Sequence, residues 1–223
     1  MSVSVVRHLL APTAVLALIA LAESGCSSAT TTAGTVSGVD SITTDATYTG
    51  TMFAQNGTFQ AFDDSNEVEV GDLDSYSPKE TMRGLVTFDL PTFASTTIKS
   101  AELRVYECAV FGTPFTSLGT VVIDHVTVPL NVLPAAGLYT GQTIASDVGT
   151  IAPDLNTGFK YLDVTSSVQN DISNSLSTSG FRLRFSIEDG NNNGVSDYVD
   201  FNTAYSGDCT GNATLAPLLI VTD

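Results

Sequence analysis

The most specific chemical pattern in the sequence is an oxygen-rich run, Asp189-Gly190-Asn191-Asn192-Asn193-Gly194-Val195-Ser196-Asp197-Tyr198-Val199-Asp200. It satisfies D-x-[DN]-x-[DN]-G, the opening of a calcium loop. In that reading Asp189, Asn191 and Asn193 supply side-chain oxygens and Val195 its carbonyl. Asp197 acts directly or through water. Asp200 stands where a bidentate Glu is usual, and its shorter side chain reaches less far. The competing reading is a hairpin loop, with Asn and Gly present because they tolerate positive φ. A second acidic stretch, Asp63-Asp64 with Glu67, Glu69, Asp72 and Asp74, reads as a solvated acidic loop, with a hard cation as the alternative.

Catalytic constellations are missing. His125 is the one His beyond the N-terminal segment, and it lies in an alternating stretch that predicts core or edge placement. There is no G-x-S-x-G elbow and no His/Cys zinc spacing. Paired carboxylates do serve glycosidases, but among 24 Asp plus Glu such pairs arise by chance. The expectation is a protein that is not an enzyme. Eight Lys plus Arg against those acids set the formal net charge at −16. A nucleic-acid polyanion would meet repulsion and too few bases to neutralise it. With 43% hydrophobic and 14% charged residues, the chain has matter for a sizeable core and is not a disordered acidic tail.

The elements that must position any site read as strands. Period-two alternation recurs and helical periodicity is nearly absent. Val86, Phe88 and Leu90 form one apolar face of the stretch from Arg83 to Leu90. Ala101, Leu103 and Val105 alternate with Glu102, Arg104 and Tyr106. Phe181, Leu183, Phe185 and Ile187 alternate with Arg182, Arg184 and Ser186. Further strands are predicted at 120–128, 161–164, 198–202 and 218–222, with shorter ones at 67–70 and on both sides of Asn56-Gly57, a strong hairpin signal. One modest helix is predicted over 166–175. Many short strands with one-faced alternation predict an all-β, antiparallel, jelly-roll-like β-sandwich with one short helix, in a single domain over 39–223.

Outward residues on those strands are the candidate ligand contacts: Arg104 and Tyr106 on one, Arg182 and Arg184 on another, Tyr198 on a third. On a single sheet face they would offer planar hydrogen-bonding groups and an aromatic platform for a sugar ring. The plentiful acids favour a plainer reading, in which the arginines pair with carboxylates and cover the sheet. Absence of Trp removes the largest stacking surface, for which Tyr can substitute.

The N-terminus reads as an address. Arg7 and His8 precede an apolar run from Leu9 to Ala22 that suits a signal-peptide core, with Ala20-Leu21-Ala22 as an A-x-A cleavage site. Residues 1–22 are the expected signal peptide, extending to 25 in a lipoprotein. Gly25-Cys26 then resembles a bacterial lipoprotein signal, with Cys26 acylated and the Ser/Thr-rich stretch 26–38 as a tether. Glu23 departs from that pattern, where an aliphatic residue is usual. The expected destination is the cell envelope or the extracellular space, with membrane contact only through a lipid anchor. In an oxidising compartment Cys108 and Cys209 form an even pair. A bridge closing a loop of that length would contribute about 4–5 kcal/mol in the loop-entropy view.

The stretch from Arg83 to Glu107, RGLVTFDLPTFASTTIKSAELRVYE, resembles the signature of the DNRLRE-domain family. Tyr161-Leu162-Asp163-Val164-Thr165-Ser166-Ser167-Val168, Gly180-Phe181-Arg182-Leu183-Arg184 and Pro217-Leu218-Leu219-Ile220-Val221 are similar to its later landmarks, in the same order. The resemblance implies a jelly-roll sandwich similar to non-catalytic carbohydrate-binding modules, some of them associated with acidic polysaccharides. Here the acidic field and few Lys and Arg disfavour an anionic glycan unless calcium bridges it. The resemblance thus points to a polysaccharide or surface glycan as partner. The alternative is a structural or adhesive surface protein that binds protein partners or itself.

Overall fold

A computed structural model describes residues 41–63, 67–75, 79–90, 98–128, 135–141, 143–188, 194–203 and 213–222. The expected leader and tether, Cys26, Asp189, Asn191, Asn193 and Cys209 lie outside the described residues. In chain order the strands are β1 (Ser41–Gln55), β2 (Thr58–Asp63), β3 (Glu67–Leu73), β4 (Glu80–Asp89) and β5 (Ser100–Phe111). The short helix α1 (Pro114–Ser117), β6 (Val121–Val126), α2 (Ala135–Thr140), β7 (Thr143–Ala152) and β8 (Gly158–Asp163) follow. The chain then forms α3 (Thr165–Ser173), β9 (Thr178–Phe185), β10 (Ser196–Asn202) and β11 (Leu218–Thr222).

Every ladder among the described residues is antiparallel. Six strands close on themselves in the order β1-β11-β5-β10-β3-β4, because β1 also pairs with β4. The long strand β1 makes this closure possible. Its residues 41–45 pair with β11, and from Ala46 onward it pairs with β4 after a register shift between Ala46 and Tyr48. Such an irregularity bends a strand and raises its twist, which lets one strand serve two sheets. The layer continues from the second half of β4 through β9 and β6 to the edge strand β7, while β8 flanks β5. The result is the expected all-β, antiparallel sandwich with a short helix.

Alternation explains the core. Ala101, Leu103 and Val105 of β5 face Phe181, Leu183 and Phe185 of β9 across the sandwich, all at most 2% exposed. Val86 and Phe88 join them, but Leu85 and Thr87 are buried as well, so β4 is covered on both faces. Leu85 belongs to a second apolar cluster with Met52, Val126 and Tyr139, under α2. Ile187, expected as the fourth inward residue of β9, lies past the end of that strand and is 54% exposed. The predicted helix is α3. Val168 packs in the core, and Gln169 Nε2 donates to Ile98 O at 2.8 Å. Its first turn is set by Asp163, whose Oδ1 accepts from the Thr165 amide at 2.9 Å. Two shorter helices, the whole of β7 and the first half of β1 add to what alternation alone predicts. No helix among the described residues is long and apolar enough to cross a membrane.

Candidate functional site

The five outward residues do not share one face. Arg182 and Arg184 stand on β9, in the layer beneath α2, whereas Arg104, Tyr106 and Tyr198 stand on β5 and β10 of the opposite layer.

On the β9 side every guanidinium is spent. Arg182 is 4% exposed. It donates to Asp124 Oδ2 at 3.1 and 2.6 Å, to Tyr139 O at 3.0 Å, to Gly141 O at 3.3 Å and to Thr143 Oγ1 at 2.9 Å. Arg184 takes the remaining side of Asp124, with Nε 2.9 Å from Oδ2 and Nη2 3.1 Å from Oδ1, and reaches Asp147 at 2.5 Å. Burial alone would raise the Asp124 carboxyl. Hydrogen bonds from Arg184 and Arg182, with the Asp147 amide, instead hold it below the usual carboxylate range. Arg83 of β4 grips Glu188, donates to the Tyr139 carbonyl, and places its guanidinium 4.2 Å from the centre of the Tyr139 ring. Arg182 and Arg83 together fasten α2 onto the sheet. The expectation that Arg182 and Arg184 face a ligand is therefore corrected: period two places them off the core, but α2 and Asp124 cover Arg182, and Asp124 and Asp147 engage the half-buried Arg184.

The β5 face differs. Register pairs Tyr106 with Phe159 and Arg104 with Tyr161 of β8, so all four share one surface. The Arg104 guanidinium lies over the Phe159 ring, 4.7 Å from its centre. Tyr106 meets Phe159 edge-on at 5.1 Å, and Tyr161 follows at 6.2 Å. Phe159 is 38% and Tyr161 52% exposed. Arg104 Nε has no hydrogen-bond partner, and no carboxylate among the described residues pairs with Arg104. Farther along, Tyr198 stacks on Phe111 at 4.5 Å and 14°. Gly71 of β3 makes room for this stack: at φ +142, a Cβ there would come within 2.6 Å of Tyr198 Cα.

Phe159, Tyr161 and Phe111 were missed as site residues. For Phe159 and Tyr161 the signal was available in Phe159-Lys160-Tyr161, whose alternation puts two aromatics on one face and the base on the other. Lys160 does turn the other way, 3.3 Å from Glu107 on β5. Glu107 is fully buried. Burial pushes its carboxyl up to about 7, with Lys160 pulling down and Asp154 adding to the rise.

The oxygen-rich segment is described only from Gly194 onward. Val195 is exposed at the turn. Asp197 and Asp200 are three apart on β10 and so point to opposite faces. Asp197 spends both oxygens holding α1: Oδ1 accepts from the Thr113 amide at 2.6 Å and Oδ2 from Ser117 Oγ at 2.7 Å. Asp200 is 6% exposed and paired in register with Glu69. Its carboxyl is pushed up to about 8 by burial, then by Glu67 and Glu69. This half of the segment does not fit one calcium ion shared by Asp197 and Asp200. Among the described residues no group of three or more His, Cys, Asp or Glu is arranged to hold a metal.

His125 is 1% exposed, which decides for the core between the expected core and edge placements. Its Nε2 lies 2.9 Å from Asp171 of α3, and Ser179 Oγ donates to the same carboxylate at 2.6 Å. The hydroxyl bonds the acid and not the imidazole, so this trio lacks the Ser–His contact that activates a nucleophile. It ties α3 to β6 and β9. Cys108 is the extra residue of a bulge in β5, between Ala109 opposite Asp200 and Glu107 opposite Phe201. Its Sγ lies 3.2 Å from the Asp200 carbonyl oxygen.

No protein-family model and no curated protein matches this chain.

Proposed function

We propose that the domain is a non-catalytic, exported carbohydrate-binding module that holds a glycan against the outer face of β5 and β8. The carrying observation is the Arg104–Phe159–Tyr161 platform: two exposed rings with a guanidinium stacked on one of them and paired with no carboxylate among the described residues. A sugar presents an apolar C–H face to an aromatic ring and hydroxyl acceptors at its edge, and Arg supplies planar donors. Resemblance of the strand motifs to the DNRLRE family supports the same reading. The leader-like segment and Cys26 support a place at the cell envelope. In this reading Cys108 pairs with Cys209, seven residues beyond the end of β10, the strand that runs beside Cys108. Any calcium would be held by Asp189, Asn191, Asn193 and the Val195 carbonyl, without Asp197.

Glycan-array and affinity-gel binding by the full chain test the proposal, with calcium present. Retention by at least one polysaccharide, lost in Tyr161→Ala and in Arg104→Ala, is the expected result. Silence across neutral and acidic polysaccharides rejects it.

The alternative, an adhesive protein that binds itself, has the edge strand β7 in its favour, since unpaired strand edges recruit further strands. Against it, the β6–β7 ladder is interrupted by three register shifts. A monomeric elution volume at high concentration removes this alternative.

A further inference from the structure

The β1–β2 hairpin has two unlike faces. Asn56 and Gly57 turn it with φ of 50° and 75°, the left-handed pair that a two-residue turn needs. One face carries Ala54, Phe59 and Ala61, which pack onto the cluster of Met52, Leu85, Val126 and Tyr139. Phe59 lies 5.1 Å from the Tyr139 ring, and Tyr139 is itself gripped by Arg83. The hairpin is thus braced from behind.

The other face continues the inward side of β1. Thr49 and Thr51 are shut off from solvent there, but Phe53 and Gln55 are only half-buried. Register sets Phe53 opposite Gln60 and Gln55 opposite Thr58. With Glu80 at the start of β4, these residues line an open groove of about 250 Å³. Gln55 Nε2 donates to Glu80 Oε1 at 2.5 Å, which orders both side chains at the groove wall. No lining residue is basic. Neighbouring Lys79 is engaged with Asp72 at 3.2 Å and Asp74 at 3.1 Å.

The chemistry of this lining is narrow. Amides offer a donor and an acceptor side by side, which suits vicinal hydroxyls. A carboxylate accepts from hydroxyls and repels anions. One ring supplies a stacking surface. The volume of about 250 Å³ falls just below the roughly 300–1,000 Å³ usual for ligand clefts, which limits the occupant to a single ring.

We propose that this groove is a second carbohydrate subsite, which takes one neutral sugar ring through Phe53, Gln55, Gln60 and Glu80. It rests on the glycan reading above and adds to it the ligand class: neutral rather than uronic. The two binding zones sit on different layers and are separable by mutation.

The test titrates the full chain with neutral trisaccharides of glucose, mannose and galactose, and with trigalacturonate as the acidic control. Calorimetry reads affinity and stoichiometry, and NMR reads the Gln55 and Gln60 side-chain amides. A neutral sugar is expected to shift both amides, and Gln60→Ala to weaken that binding at least tenfold. Gln60 is exposed, so an unchanged melting temperature shows the variant folded. Phe53→Ala provides a second variant with the same expected loss. Wild-type affinity in Gln60→Ala and Phe53→Ala, with shifts confined to Arg104, Phe159 and Tyr161, overturns the subsite while leaving the platform. Preference for trigalacturonate at the groove overturns its assignment to neutral sugars. No sugar bound at either place overturns both proposals together.

Discussion

Arg182 and Arg104 arise from the same kind of sequence, a polar residue between apolar neighbours in an alternating strand. One ends 4% exposed with five hydrogen bonds, and the other lies on an aromatic ring with Nε unpartnered. The difference comes from what crosses above each strand. Over β9 the chain returns as α2, whose last turn presents carbonyls, and β6 supplies Asp124. Beside β5 the neighbour is β8, which supplies rings. An outward arginine is therefore structural or available according to its cross-strand and overlying neighbours, which its own strand does not specify.

The sharpest way to break this comparison is to truncate both. Arg182→Ala should lower stability by about 3–5 kcal/mol, because Asp124 keeps its charge in a buried place with one donor group fewer. Urea unfolding of the two variants checks it. An equal loss for Arg104→Ala would erase the distinction between the faces.

Next in size is Asp200. Its carboxyl is held up near 8 against an ordinary 3.8. Between those values the folded state keeps a proton that the unfolded state has released, so this group's contribution to stability falls as pH rises through the window. Asp200→Asn should be more stable than the parent at pH 9, by about 1–3 kcal/mol, with the gap closing toward pH 6. Melting curves of both proteins across that range measure it. A gap that widens on acidification would reverse the assignment.

Asp197→Ala should cost about 1–2 kcal/mol by freeing the Thr113 amide and Ser117 hydroxyl, the α1 anchor. Chelator is expected to change the melting of parent and variant equally, since both Asp197 oxygens are engaged at α1. The smallest stability effect belongs to Arg104→Ala, under about 1 kcal/mol, because only stacking is lost. Its effect on glycan retention should be the larger one, and retention at parental level would remove the platform.

Legibility followed local pattern. β11 appears where Leu218–Thr222 was expected, β5 contains its predicted run, and β4 and β9 hold all of theirs but the last one or two residues, because one buried face imposes period two. The Asn56-Gly57 turn was equally readable, since few residue pairs accept two positive φ values. β7 and the first half of β1 were not readable. Thr143–Ala152 is mostly exposed and irregularly paired, and Ser41–Gly50 is rich in Thr, so neither shows clean alternation. For the site, Arg104 and Tyr106 were placed on a usable surface. Their partners Phe159 and Tyr161 sit more than fifty positions away and join only through the β5–β8 register.

The sequence by itself determined the all-β class, most of the inward set of each strong strand, and the hairpin turn, and it narrowed His125 to a core or edge place. These follow from short-range sterics and from burial of one face, which act within a few residues. Tertiary structure alone decided that Arg182 is sealed under α2 and Arg184 is held by Asp124 and Asp147, that Asp197 and Asp200 part to opposite faces, and that aromatics from β8 meet Arg104. Those outcomes depend on which distant segment lies alongside, and long-range register sets that through the packing of the whole sandwich.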